Sequence, residues 1–77
     1  MNATLPIPAT VVESTSLARV AYDVTHQLLQ IEFRDRTIYL YAGVPAEVHD
    51  GLLRSQSKGA YFNKVIRGHF VYCRLEA

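Results

Sequence analysis

The sequence predicts an α+β fold: an antiparallel three-stranded sheet, two short helices packed on one of its faces, and a short C-terminal strand. Three observations predict it. Leu29, Ile31 and Phe33 alternate with Gln30, Glu32 and Arg34, and the run TIYLYA over residues 37–42 follows at once, which is the period-two pattern of paired strands. Val44-Pro45 then opens a stretch where Val48 and Leu52 stand four apart, a helical spacing. The chain has 77 residues, 49% hydrophobic and 19% charged, enough apolar surface for one folded domain and too little length for two.

Residues 1–11 read as an extended N-terminal tail and 12–77 as the domain. Pro6 and Pro8 cannot donate backbone hydrogen bonds, and Ser14, Thr15 and Ser16 form a polar step before the first strand. That strand covers 17–22, and a polar turn over 23–27 leads to the second, centred on Leu29, Ile31 and Phe33. The loop between the second strand and the third sets which side chains are buried. A two-residue loop, Asp35-Arg36, places Phe33 opposite Ile38 and turns Tyr39 and Tyr41 outward. A three-residue loop, 34–36, places Ile31 opposite Tyr39 and Leu29 opposite Tyr41. The longer loop needs a left-handed residue at Arg36, at about 1 kcal/mol, so local chemistry favours the shorter one.

Pro45 suits a first helical turn, Glu47 complements the positive helix end, and the first helix is expected over 45–54. Gly51 inside it costs about 1 kcal/mol relative to alanine. Ser57 is an N-cap for a second helix over 58–66, with Phe62 and Ile66 on its buried face and Gly68 as the stop. Residues 70–75 alternate and read as a last short strand or an extended edge.

A net charge of +1 conceals a division: residues 1–50 carry −3 and residues 51–77 carry +4. Such asymmetry is one sign of an acidic or nucleic-acid partner. No apolar run approaches the ~18 residues of a membrane span. Met1 to Ala9 lacks the basic start and apolar stretch of a secretory signal, and Cys73 is the single cysteine. Together these point to a reducing, cytoplasmic setting with no internal disulfide.

Little in the chain calls for catalysis. His69 and Cys73 stand four apart, with His26 and His49 elsewhere, but a structural zinc site asks for four ligands and usually a cysteine pair, so no metal is expected. Cys73 has no catalytic signature around it and reads as a buried small thiol. Glu47 and Asp50 sit where acidic residues stabilise a helix start. The phosphate-loop and dinucleotide glycine patterns are absent, no cofactor is implied, and the chain is not read as an enzyme. The suggestive stretch is the last third, where Lys58, Tyr61, Lys64, Arg67, Tyr72 and Arg74 interleave cations with rings. Cations track phosphates and rings stack on unpaired bases, although the same rings also serve packing.

Several ordered motifs resemble the KTSC domain family, a short module named for its place at the C-terminus of some lysyl-tRNA synthetases. They are Tyr22-Asp23, Leu29-x-Ile31-x-Phe33, Tyr39-Leu40-Tyr41, Val44-Pro45 with Val48, Ser57-Lys58-Gly59, Tyr61-Phe62-Asn63 and Ile66-Arg67, spread over about residues 12–75. The family usually has glycine where this chain has Arg36, so the resemblance implies the three-residue loop. Tyr39 and Tyr41 then share the buried face, and Ile38 and Leu40 lie on the outer one, where an apolar patch would invite a second copy. The family is uncharacterised, and its synthetase context implies RNA. The expected function is therefore a small, weak RNA-binding or translation-associated accessory domain using Lys58, Tyr61, Lys64, Arg67, Tyr72 and Arg74. The alternative is a protein-interaction module docking through Ile38, Leu40 or a sheet edge.

Overall fold

The computed structural model describes residues 9–75. Five strands form one antiparallel sheet in chain order: β1 (Thr10–Val11), β2 (Leu17–Asp23), β3 (Leu28–Phe33), β4 (Ile38–Tyr41) and β5 (Tyr72–Leu75). Between β4 and β5 run α1 (Ala46–Arg54) and α2 (Lys58–Tyr61), the latter continuing as a π-helical stretch over Phe62–Ile66. The α+β class and the strand–helix–strand order match expectation, but the sheet has five strands where three and a short C-terminal strand were expected. One addition comes from the stretch read as tail: Thr10 pairs with Val20 and Val11 with Arg19. Buried Val12 anchors it, its N–H donating to the Ala18 carbonyl at 3.1 Å. Two residues are too short to show a period. The rest of that tail, 1–8, lies outside the described residues. The other is the final strand, an edge strand of the same sheet, for β5 pairs along the whole of β4.

The β3–β4 hairpin has the three-residue loop. Ile31 faces Tyr39, Leu29 faces Tyr41, and the Phe33 N–H donates to the Thr37 carbonyl at 2.9 Å. Arg36 takes the left-handed conformation at φ 73°. The turn is held from inside: one Asp35 carboxylate oxygen accepts from the Thr37 N–H at 3.0 Å and the Thr37 hydroxyl at 2.6 Å. Charge-assisted bonds of this kind offset the strain at Arg36.

Leu17, Val20, Leu29, Ile31 and Tyr41 project from the sheet onto Val44, Leu52, Phe62 and Ile66 to form the core. Pro45 caps α1 rather than starting it. Ser57 caps α2 as expected, its Oγ accepting from the Ala60 N–H at 3.3 Å. The helix expected over 58–66 loosens in its second half, where the Arg67 N–H reaches the Phe62 carbonyl at 2.8 Å. Gly68, at φ 78°, ends it. Among the described residues no helix is long and apolar enough to cross a membrane.

Candidate nucleic-acid interface

Because β4 and β5 are paired in register, Tyr41 stands opposite Tyr72, and Tyr39 opposite Arg74. These four side chains share the sheet face that carries the helices, since Tyr39 and Tyr41 pair with core residues Ile31 and Leu29. Here the sheet face opens into a groove of about 740 Å³. Its floor is Tyr39, Tyr41 and Tyr72, its helical wall is Phe62, Asn63 and Arg67, and the β3–β4 turn closes one end.

The rings form one connected set. Tyr39 and Tyr72 are stacked, centroids 5.5 Å apart and planes 13° from parallel. Tyr41 lies 5.5 Å from Tyr72 and meets Phe62 edge-on at 5.8 Å. Phe33 braces the set from beneath, edge-on to both Tyr39 and Phe62. Tyr41 is buried, whereas Tyr72 is 56% exposed, so an aromatic face remains open to solvent. Burial pushes the Tyr41 hydroxyl up to about 12, the Tyr39 and Tyr72 hydroxyls add to the shift, and the Arg67 guanidinium pulls the other way. Among the described residues the hydroxyls of these three tyrosines make no hydrogen bond, and none is sealed from the surface.

The π-helical stretch presents Asn63 and Arg67 side by side, Arg67 Nη1 donating to Asn63 Oδ1 at 3.4 Å. Asp35 is the one carboxylate in the lining. Its bonds from Thr37 hold its carboxyl below the usual range, and the charge of Arg74 lowers it further. Arg34 is tied back, Nε donating to the Ser14 carbonyl at 3.1 Å and Nη2 to the Val12 carbonyl at 3.5 Å.

Of the six residues expected to bind nucleic acid, Arg67 and Tyr72 line the groove, and Arg74, opposite Tyr39 on the same sheet face, stands outside the lining with its charge acting on Asp35. The other three do not join them. Lys58 Nζ donates to the Ser55 carbonyl at 2.9 Å. The half-buried Tyr61 ring lies against Gly51 of α1. Lys64 is exposed but does not line the groove. Tyr39, Tyr41 and Asn63 complete the site and were not singled out for it. The available signal was the Tyr-x-Tyr spacing, which puts two rings on one strand face, but locating the groove also requires knowing that β5 lies beside β4.

Elsewhere the motif residues are structural. The Tyr22 hydroxyl donates to the Val44 carbonyl at 2.6 Å, and its ring stacks on His49 at 4.7 Å. Asp23 accepts from the Thr25 and His26 N–H groups, closing the β2–β3 turn. Cys73, expected to be buried, is exposed opposite Leu40. The edge position of β5 explains this, because no element covers its outer side among the described residues. Ile38 and Leu40 lie on the outer face, half-buried. Among the described residues no three His, Cys, Asp or Glu side chains are grouped to hold a metal.

The KTSC domain model matches residues 13–70. The chain is 38% identical over 65 residues to an uncharacterized protein of Stutzerimonas stutzeri, covering 83% of this chain and 92% of that one. It is 40% identical over 63 residues to a lysine–tRNA ligase of Nostoc sp., covering 82% of this chain and 11% of the ligase. The crystal structure of a KTSC domain protein from Yersinia pestis superposes with a TM-score of 0.87 at 32% identity, covering 90% of this chain and 97% of that one.

Proposed function

The chain belongs to the KTSC domain family, and for this member we propose a binding role: a small cytoplasmic accessory domain of translation that holds single-stranded RNA weakly in the tyrosine groove. The observation that carries the reading is Tyr72, 56% exposed, stacked on Tyr39 and bordered by the cations Arg67 and Arg74. An exposed ring already held in a stack offers a base a rigid face, worth about 1–3 kcal/mol per base. Adjacent cations supply the sequence-independent attraction to phosphates. The similarity to a segment of lysine–tRNA ligases lends support from the side of biological context.

NMR titration with short single-stranded RNA at low salt tests it. Shifts are expected at Tyr72, Arg67 and Arg74. No shifts at millimolar RNA would end the reading. Shifts confined to Ile38 and Leu40 would also end it and move the function to docking of a protein or a second copy on the outer face.

A further inference from the structure

We propose that the groove prefers guanine among the bases of an RNA strand, with Tyr72 stacking on the base and the Arg67 fork reading its edge. This inference rests on the RNA-binding reading above and adds the identity of the base.

The argument begins with where the two side chains stand. Tyr72 and Arg67 line the same groove with Tyr41, whose ring is 5.5 Å from that of Tyr72. In the proposed pose a base on the open face of Tyr72 meets Arg67, across the groove, at its edge. Arg67 is also oriented. Its Nη1 donates to Asn63 Oδ1 at 3.4 Å, which leaves the Nε and Nη2 side of the guanidinium free. That side carries two parallel donors. Guanine offers two acceptors at matching spacing, O6 and N7, whereas adenine sets a donor, N6, beside N7 and meets one arm of the fork with a like group. Cytosine has adjacent acceptors at N3 and O2, but its single ring covers less of Tyr72.

The remaining lining does not reverse this preference. Asn63 also lines the groove, and an amide reads adenine through its oxygen and nitrogen together, but Asn63 Oδ1 already accepts from Arg67. The carboxylate able to accept from an adenine or cytosine amino group is Asp35. One of its oxygens already takes two hydrogen bonds from Thr37, and its charge faces Arg74. Arg74 stands opposite Tyr39 on the same sheet face, outside the groove lining, and suits the phosphate of a neighbouring nucleotide, so a strand is expected to bind more tightly than a free nucleotide.

The test uses the full chain and four seven-nucleotide probes, uridines with guanosine, inosine, adenosine or cytidine at the centre. Fluorescence anisotropy at low salt reads the affinity. Guanosine and inosine share O6 and N7, and both are expected to bind about fivefold or more tighter than adenosine and cytidine, the low end for one bidentate arginine contact. Arg67→Lys keeps the charge and loses the fork. It is expected to bring the guanosine and inosine probes down to the affinity of the adenosine and cytidine probes, abolishing the preference. Guanosine monophosphate alone is expected to bind more weakly than the guanosine strand. Equal binding of all four probes would overturn the guanine assignment and leave RNA binding standing. A preference that survives Arg67→Lys, or a monophosphate binding as tightly as the strand, would overturn it too. Binding of no probe would overturn both readings.

Discussion

Arg36 holds a conformation that its side chain disfavours, φ 73°, because the register of the whole hairpin depends on it. The cost is about 1 kcal/mol, and Asp35 offsets it through Thr37. Arg36→Gly is expected to stabilise the protein by up to about 1 kcal/mol, read as a higher urea midpoint with unchanged slope. A lower midpoint would mean that the Arg36 side chain contributes more than its backbone costs. Tyr41 is the groove's buried member, and Tyr41→Ala is expected to cost about 3–5 kcal/mol, much of a small domain's stability. The half-buried Tyr39 should cost less when truncated. Tyr41 also makes stability depend on alkaline pH. Its hydroxyl is raised from 10.0 to about 12 in the folded chain, so between these values the unfolded chain ionises first and the folded state loses ground. Below 10.0 the contribution is fully present. Urea unfolding from about pH 9 to pH 12 should show stability falling over that window, and Tyr41→Phe should make the fall shallower. Tyr22, raised by burial and by the charges of Glu47 and Asp23, adds to the same fall.

At the level of elements, Gly51 shows why helix propensity misleads here. Intrinsic preference favours alanine in α1 by about 1 kcal/mol. A Cβ at Gly51, however, would run into the hydroxyl of Tyr61, with the ring carbon that bears it at 2.9 Å. Gly51→Ala is therefore expected to destabilise the parent by about 1 kcal/mol yet to stabilise a Tyr61→Ala background by about the same. Stabilisation in both backgrounds would show that Tyr61 moves aside freely. The same close packing explains why Tyr61, legible as an aromatic among cations, is not part of the groove. Alternation over Leu29, Ile31 and Phe33 was enough to place β3, and Ser57 enough to start α2. The hairpin register is not legible from local chemistry, because Arg36 argues for the shorter loop; only the glycine usual there in the family implies the longer one. The π-helical widening at 62–66 leaves no mark in the apolar spacing, since Phe62 and Ile66 keep one face either way. The groove itself depends on β5 docking beside β4, a contact that spans both helices.

Across the whole molecule, the charge asymmetry of the sequence is real, but folding does not gather it into one patch. Residues 51–77 carry +4, which by sequence alone suggests Lys58, Lys64, Arg67 and Arg74 acting together on phosphates. In the fold Lys58 is spent on the Ser55 carbonyl, Lys64 stands off the groove, and Arg34 at the groove's end is anchored to two carbonyls of the chain before β2. Arg67 and Arg74 remain beside the open ring of Tyr72. Each neutralised phosphate of a single strand contributes about −0.7 to the log–log dependence of affinity on salt. Four acting cations would give about −3, whereas two give about −1.4. Binding of an all-uridine strand, which offers Arg67 no guanine edge and leaves it to a phosphate, is therefore expected to fall from low to physiological salt with the shallower slope. Arg67→Ala should flatten it by about 0.7, and Lys64→Ala should leave it unchanged. A slope near −3 that Lys64→Ala reduces would show that the strand runs across the helices instead of along the tyrosine groove. In that case Tyr72→Ala would cost nothing.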